Sequence, residues 1–263
     1  MRTVCLVKFV PDVDNFKYDF ERNVLIRENT DLVMNPDDAK ALAFALKMKK
    51  SHPEMVVEIL SMGPRNVIPK LEDCLRLKVD HATLISDSMF VGSDTYVTSK
   101  ILATVLNTMD YDCILTGTHS LDGDTAHVPS QIAEVLGLDQ LSNVIDISDL
   151  NNHPIKVCVD SENFIENYEV SLPLILSVNR EAKVKLPYVR YDDLHKDVSH
   201  QLTILDNNIL KFDQSEVGLE GSLTKVARSF IKTYEKKDKI VVQCDEEGVD
   251  QVYHLLKRLG HIQ

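Results

Sequence analysis

The run Gly117-Thr118-His119-Ser120-Leu121-Asp122-Gly123-Asp124-Thr125-Ala126-His127-Val128-Pro129-Ser130-Gln131-Ile132-Ala133-Glu134-Val135-Leu136-Gly137 sets the reading of the whole chain. An apolar segment over residues 112–116 precedes it and predicts a buried parallel strand. Apolar residues at helical spacing end it, with Gly137 as a C-terminal stop. The order is strand, polar loop, helix. Gly117 and Gly123 permit close backbone approach, Ser120 and Thr125 bring hydroxyls, and the helix N-terminus adds unpaired amides and a favourable dipole. That combination suits an anion such as phosphate. Asp122 and Asp124 would repel a phosphate laid directly on their carboxylates, so they are expected as caps or ribose acceptors. On spacing alone a plainer alternative stays open: an Asp-Gly turn, with Asp124 or Thr125 capping the helix.

Outward from this run the same alternation repeats. Residues 3–9, 56–60 and 82–86 are apolar and read as strands; helices are predicted from Pro36, from about Pro69, and over residues 98–109. Four strand–helix repeats with short connections imply a parallel sheet covered on both faces. Right-handed crossovers then bring the loops after Phe9, Leu60, Ser86 and Thr116 to one edge, where open parallel sheets bind ligands. Met34-Asn35-Pro36-Asp37-Asp38 is a strong helix start, with Asn35 as N-cap, Pro36 at the first position and two acids in the first turn. Residues 16–28 alternate around Glu21-Arg22-Asn23 and predict a surface hairpin or a flap over the site. No glycine-rich dinucleotide fingerprint follows the first strand and no P-loop occurs, so any phosphate must use another loop.

After residue 142 the character changes. Residues 144–147, 155–159, 166–170 and 173–179 are short strand-like runs that suggest an antiparallel or mixed addition to the sheet. Residues 180–200 read as charged loop with a short helix, and 202–223 as irregular. Residues 224–236 allow a helix and 249–259 predict one. The expected division is an α/β domain over residues 1–200 and, over 201–263, an extension too poor in apolar residues for its own core, expected to wrap a partner.

The 263 residues are 44% hydrophobic with net charge −12, which allows an ample core and argues against nucleic acid or an anionic membrane surface as ligand. No apolar run is long enough to span a bilayer, and Met1 leads almost directly into a strand, so neither insertion nor a targeting peptide is expected. The five cysteines are scattered and read as small buried hydrophobes of a reducing cytosol, and the nine histidines show no metal-ligand spacing. No nucleophile, base and orienting acid occur together, so no catalytic residue and no metal are expected, and binding is favoured over covalent catalysis. His119 and His127 are expected to bond phosphate or face solvent.

The string DGDTAHVPSQIAEVLGL resembles the adenine-nucleotide loop DGDTAQVGPQIAEHLG of electron transfer flavoprotein beta subunits. VKFVPD, MNPDDAKALAFALKMK, SMGP, VGSDTYVTS and VGLEGSLTKVARSF each resemble family segments, in family order over residues 8–230. The resemblance implies a three-layer Rossmann-like fold of the adenine nucleotide alpha hydrolase type, with a C-terminal arm packing on an alpha subunit. It implies nucleotide contacts at Leu6, Asn35, Pro36, Asp37, Asp38, Met62, Asp122, Gly123, Asp124, Thr125, Ala126, His127, Val128 and Gln131. Leu6 and Met62 would flank adenine, Asn35 and the Asp pair would serve the ribose side, and the groups around Thr125 would hold phosphate.

In function the resemblance implies the beta subunit of a cytoplasmic bacterial heterodimer whose alpha subunit carries FAD. The beta site holds AMP or, in the bifurcating subgroup, a second FAD that accepts a hydride from NADH and divides the electron pair. One electron then goes toward a low-potential acceptor and one toward the alpha flavin and an acyl-CoA dehydrogenase type partner. The spelling of the three nucleotide-side motifs is nearer the bifurcating members, which favours FAD over AMP. Pro129-Ser130 replaces family Gly-Pro, Thr118-His119-Ser120 replaces Arg-Gln-Ala, and the family NEPRYPS segment leading to the partner-recognition loop is degenerate over residues 182–188. An adenine-nucleotide-binding regulatory protein or ATP-using enzyme on the same sheet is the rival class, but its glycine- and serine-rich phosphate loops are absent. A cofactor-free scaffold subunit is a third.

Overall fold

The computed structural model describes residues 1–12, 17–19, 24–26, 31–148, 154–225 and 241–262. It divides into compact units Met1–Lys225 and Val226–Gln263. The first unit begins β1 (Arg2–Leu6), β2 (Phe9–Pro11), β3 (Lys17–Asp19), β4 (Val24–Ile26), β5 (Leu32–Met34), α1 (Pro36–Ser51), β6 (Val56–Met62), α2 (Ile68–Arg76) and β7 (His81–Ile85). It continues α3 (Thr95–Leu106), β8 (Cys113–Gly117), α4 (His127–Leu136), β9 (Asp139–Ile147), β10 (Ile155–Ser161), β11 (Phe164–Val170) and β12 (Leu174–Val178). It ends with β13 (Leu202–Leu205) and the short helices α5 (Asn207–Leu210) and α6 (Gly218–Gly221).

Among the described residues nine strands form one sheet in the order β11-β10-β9-β12-β8-β1-β6-β7-β13. From β9 to β13 every neighbouring pair is parallel, while β10 runs antiparallel to both β9 and β11. Helices cover both faces. From β1 the chain steps through α1 to β6 and through α2 to β7; it then returns through α3 to β8 on the other side of β1. Right-handed crossovers taken in opposite directions place their helices on opposite faces. One core layer accordingly joins Cys5, Ile59, Leu84 and Leu115 to Leu42, Phe44 and Leu71 of α1 and α2. The other joins Val4, Leu60, Ile85 and Ile114 to Val97, Ile101 and Ile132 of α3 and α4. Alternate residues of each strand thus feed opposite layers, which is why these strands are apolar throughout.

One expectation takes definite form and two need correction. The antiparallel or mixed addition expected after residue 142 is mixed: residues 174–178 form β12, which lies between β8 and β9 and is parallel to both, every residue buried, which suits its unbroken apolar composition. Residues 202–205, expected irregular, pair in register with residues 82–85 as an edge strand. With β13 completing the sheet, the first compact unit runs on to Lys225. Helix α3 starts at Thr95, three residues earlier than expected, because Asp94 caps it through the Val97 amide at 3.0 Å. The hairpin expected over 16–28 is represented by β3 and β4, paired antiparallel; its turn lies outside the described residues, as do residues 226–236 of the helix expected over 224–236.

All five cysteines are free. Cys5, Cys74 and Cys113 are buried, and burial pushes the Cys74 and Cys113 thiols up to about 12. Among the described residues no helix is long and apolar enough to cross a membrane, and no cluster of His, Cys, Asp or Glu is placed to hold a metal. In the second unit α7 (Glu246–Arg258) is capped by Asp245, which accepts the Gly248 amide at 2.8 Å, and Val249, Val252, Leu256 and Leu259 along it are exposed.

Candidate functional site

The strand order reverses at β1: the chain leaves it for β6 on one side and reaches β8 on the other. The switch point of the sheet therefore lies between the carboxyl ends of β1 and β8, the place where open α/β sheets take their ligands. Leu6 ends β1, Gly117 ends β8, and Met62 ends β6, the next strand over. The first turn of α1 packs against this switch point from one face. Asp38, buried, accepts the Lys8 amide at 2.7 Å and the Gly117 amide at 2.9 Å, tying the ends of both strands to the helix. A Cβ at Gly117 would lie 2.3 Å from Asp38 Oδ1 and 2.7 Å from Asp37 Cβ. The missing side chain at Gly117 therefore serves the close approach of α1, and not an anion.

Asn35 precedes α1 but makes no side-chain cap. Its amide reaches across instead: Nδ2 donates to the His119 carbonyl at 2.6 Å and Oδ1 accepts from the Leu121 amide at 3.2 Å. Asp37 accepts the His119 amide at 3.1 Å and faces Arg180 Nε at 3.6 Å. Asn35, Asp37 and Asp38 are all buried, so their polar atoms are spent on protein backbone and on Arg180. They shape the loop over residues 117–121. Burial drives the Asp38 carboxyl up to about 7, against the lowering effect of the amides of Lys8 and Gly117 and the Asn35 side chain. Asp37 is also raised, again chiefly by burial. Pro36 is exposed.

The acids of the loop each face a basic side chain. Lys8 Nζ sits 2.7 Å from Asp122, and although burial alone would raise that carboxyl, the Lys8 bond and charge with the Ser120 hydroxyl hold it below its ordinary value. His119 Nδ1 lies 3.1 Å from Asp124 Oδ1, close enough for an ion pair when the ring is protonated but off the direction of a hydrogen bond. Neither acid caps α4. The cap position is Ala126, left-handed at φ +53, with no side-chain bond to the helix, and Asp124 is also left-handed at φ +49. Holding Ala126 there costs about 1 kcal/mol, and such backbone recurs where a ligand uses it. Among the described residues the amides of Thr125, Ala126, His127 and Val128 have no partner. Pro129 contributes none, which leaves the first turn one donor short of a usual helix start.

Asp122, Gly123, Asp124, Thr125 and His127 are exposed and line the loop mouth, with Ala126 and Val128 half-buried. Gln131 faces away from it: its Oε1 accepts from Ser99 Oγ at 3.0 Å and ties α4 to α3. The structure brings Leu6, Asn35, Asp38 and residues 122–128 to one sheet edge. Lys8 and Arg180 were not among the expected site residues. A lone lysine directly after a buried strand was the available signal for Lys8; Arg180 is distant in sequence and gave none.

Residues 22–188 match the family described as the electron transfer flavoprotein domain. The chain is 32% identical over 263 residues to the electron transfer flavoprotein subunit beta of Thermoanaerobacterium thermosaccharolyticum, covering 99% of this chain and 98% of that one. It belongs to the electron transfer flavoprotein beta-subunit family. It is also 35% identical over 231 residues to the caffeyl-CoA reductase-Etf complex subunit CarD of Acetobacterium woodii, covering 88% and 87%. With the acryloyl-CoA reductase electron transfer subunit gamma of Anaerotignum propionicum it shares 29% identity over 259 residues, 96% of each chain. Its role is that of an electron transfer flavoprotein beta subunit in electron transport, and the nine-stranded, mostly parallel sheet is the architecture its sequence implied.

Proposed function

We propose that the chain pairs with an FAD-carrying alpha subunit and holds an adenine-containing cofactor, FAD, at the carboxyl edge of β1 and β8. As such it serves a cytoplasmic, NADH-oxidising, electron-bifurcating flavoprotein whose partner is an acyl-CoA dehydrogenase type enzyme. The observation that carries the binding site is the uncapped start of α4. Unpartnered amides at residues 125–128 stand at the switch point of the sheet, in a loop whose Asp122 is matched by Lys8. Amides and a helix dipole, with Asp122 paired to Lys8, are what a phosphate or diphosphate requires.

In this reading the amides and the Thr125 hydroxyl hold phosphate, and Leu6 and Met62 flank the base. Asn35, Asp37 and Asp38 act one step removed, by fixing the loop. A bound flavin supplies the redox chemistry that no side chain of the site offers. The preference for FAD over AMP rests on the spelling of the DGDT loop, the NPDD turn and the GSDTYVTS segment. It is supported by relatives whose names join them to CoA reductases, which also motivates the dehydrogenase-type partner. AMP is the second reading, favoured by Pro129, which removes an amide that a diphosphate would use. Reconstitution with the alpha subunit followed by extraction and counting of nucleotides separates the two. Two FAD per heterodimer are expected; one FAD with one AMP refutes the flavin assignment, and no nucleotide in the beta site refutes both.

The exposed apolar row of α7, Val249, Val252, Leu256 and Leu259, suits an arm laid on the alpha subunit, with residues 201–225 built onto the first unit. Deleting residues 241–263 is expected to weaken heterodimer assembly in sedimentation experiments; unchanged assembly refutes that placement.

A further inference from the structure

The first two turns of α1 hold two surface segments at once. Asp37 gives one carboxylate oxygen to the His119 amide and faces Arg180 with the other. One turn on, Lys40 Nζ donates to the carbonyls of Ala182 at 2.7 Å and Val184 at 2.8 Å. The strand ends behind these segments are joined as well, the Thr118 amide donating to the Val178 carbonyl at 3.0 Å and Thr118 Oγ1 to the Ser177 carbonyl at 3.2 Å. Ala182 and Val184 are buried, and Asp193 beyond them is buried and paired with Lys78 and Lys196. Between these anchors Tyr188 and Tyr191 stand 95% and 84% exposed, so the stretch takes its order from its feet. One foot is the Lys40 clamp.

We infer that α1 couples the phosphate loop to the segment over residues 180–191, with Asp37 and Lys40 as positioning residues. The inference rests on the reading that a nucleotide orders residues 118–125. Helix α1 lies in the core, with Leu42, Phe44 and Leu46 buried, so its first turn and the Lys40 clamp move as one body. Ordering His119 and Leu121 fixes Asn35 and Asp37. A fixed Asp37 lowers the cost of holding Arg180, and an aligned helix lowers the cost of keeping Lys40 on its two carbonyls. Coupling of this kind is reciprocal: whatever pins residues 180–191 also favours the ordered phosphate loop.

Hydrogen–deuterium exchange on the full chain tests this, with AMP or FAD added at saturation and binding followed by calorimetry on the same samples. Glu181, Ala182 and Val184 donate to Asn179 Oδ1, the Asn179 carbonyl and the Ala182 carbonyl, and their amides are the reporters. Ligand should slow exchange at residues 118–125 and, by about tenfold, at those three amides, the factor for one charge-assisted hydrogen bond. In Lys40→Met the ligand-dependent slowing at 181–184 should vanish while that at 118–125 remains, and Lys40→Arg should restore it. A purely local role for Lys40 would alter exchange equally with and without ligand, which overturns the coupling. Slowing at 118–125 with none at 181–184 in the unmodified chain overturns it too, and leaves the nucleotide reading standing. If neither AMP nor FAD binds, that reading fails and Asn35→Ala decides the coupling alone. Loss of the bonds to His119 and Leu121 must then speed exchange at 181–184 by a similar factor, and unchanged exchange overturns the inference.

Discussion

Replacing Gly117 by alanine tests whether α1 truly closes on the end of β8. The added Cβ would stand 2.3 Å from Asp38 Oδ1, 2.7 Å from Asp37 Cβ and 2.7 Å from the Asp38 amide nitrogen, and two of these neighbours cannot swing aside. The Asp38 carboxylate is held at Oδ1 by the Gly117 amide and at Oδ2 by the Lys8 amide, and the amide nitrogen belongs to the helix backbone. Either α1 retreats or the end of β8 bends. Overpacking of this kind costs about 1–3 kcal/mol. Retreat also breaks at least one buried bond to an ionisable acceptor, at about 1.5–3 kcal/mol. A loss of about 4 kcal/mol is expected, or about 10 °C in the unfolding midpoint for a unit of this size. Gly123→Ala is the control, since its Cβ would meet only Ser120 Oγ at 3.4 Å, and it should change stability by less than about 0.5 kcal/mol. Urea titrations of both variants read the difference, and nucleotide content should fall in Gly117→Ala alone. If Gly117→Ala costs under about 1 kcal/mol, or no more than the control, α1 does not lie against β8 as described and its part in shaping the loop falls with it.

Asp38, raised from a free aspartate's 3.8 to about 7 by burial, takes up a proton more readily folded than unfolded. Its share of stability is therefore full below pH 4 and falls as pH rises to about 7, by on the order of 4 kcal/mol. Urea unfolding at pH 5 and pH 8 should show about 2.5 kcal/mol of this loss in the native chain and none in Asp38→Asn; stability rising over that interval in the native chain alone would reverse the sign and refute the assignment. Lys8→Met leaves Asp122 unmatched in the phosphate loop and should weaken AMP binding by about fivefold, most of it recovered in the double variant with Asp122→Asn. Equal loss in single and double variants would show that Lys8 acts otherwise. Asp94→Ala removes the α3 cap and the bonds from Thr224 N and Oγ1, at 2.8 and 2.9 Å, that fasten the end of the first unit. It should cost about 1–2 kcal/mol and speed proteolysis after residue 222; proteolysis at the native rate would count against that fastening.

What could be read from the sequence was what is encoded locally. The strand before Gly117, the helix from Pro36 and the stop at Gly137 follow from short patterns of apolar spacing and backbone preference, and each stands where expected. The place of β12 was not legible, because residues 174–178 are apolar in the same way whether buried in a parallel centre or in a hairpin. β13 was missed because its four residues are only partly buried or exposed and its partner lies 120 positions away. In the site, Asn35, Asp37 and Asp38 were recognised as important but given a ribose. In the structure they bond backbone groups of residues 8, 117, 119 and 121, which no local pattern announces. The cap of α4 was misplaced for a related reason: a left-handed alanine has no signature in sequence, whereas the aspartate and threonine before it carry a strong one.

The three thiols shut in the core give the molecule a built-in clock. Cys5, Cys74 and Cys113 are sealed from solvent, and burial drives all three away from the thiolate form that alkylating reagents attack, whereas Cys244 is exposed and Cys158 half-exposed. Iodoacetamide should tag Cys244 at once and the sealed trio only as fast as the sheet opens, so the mass gained over time would measure how often the interior breathes.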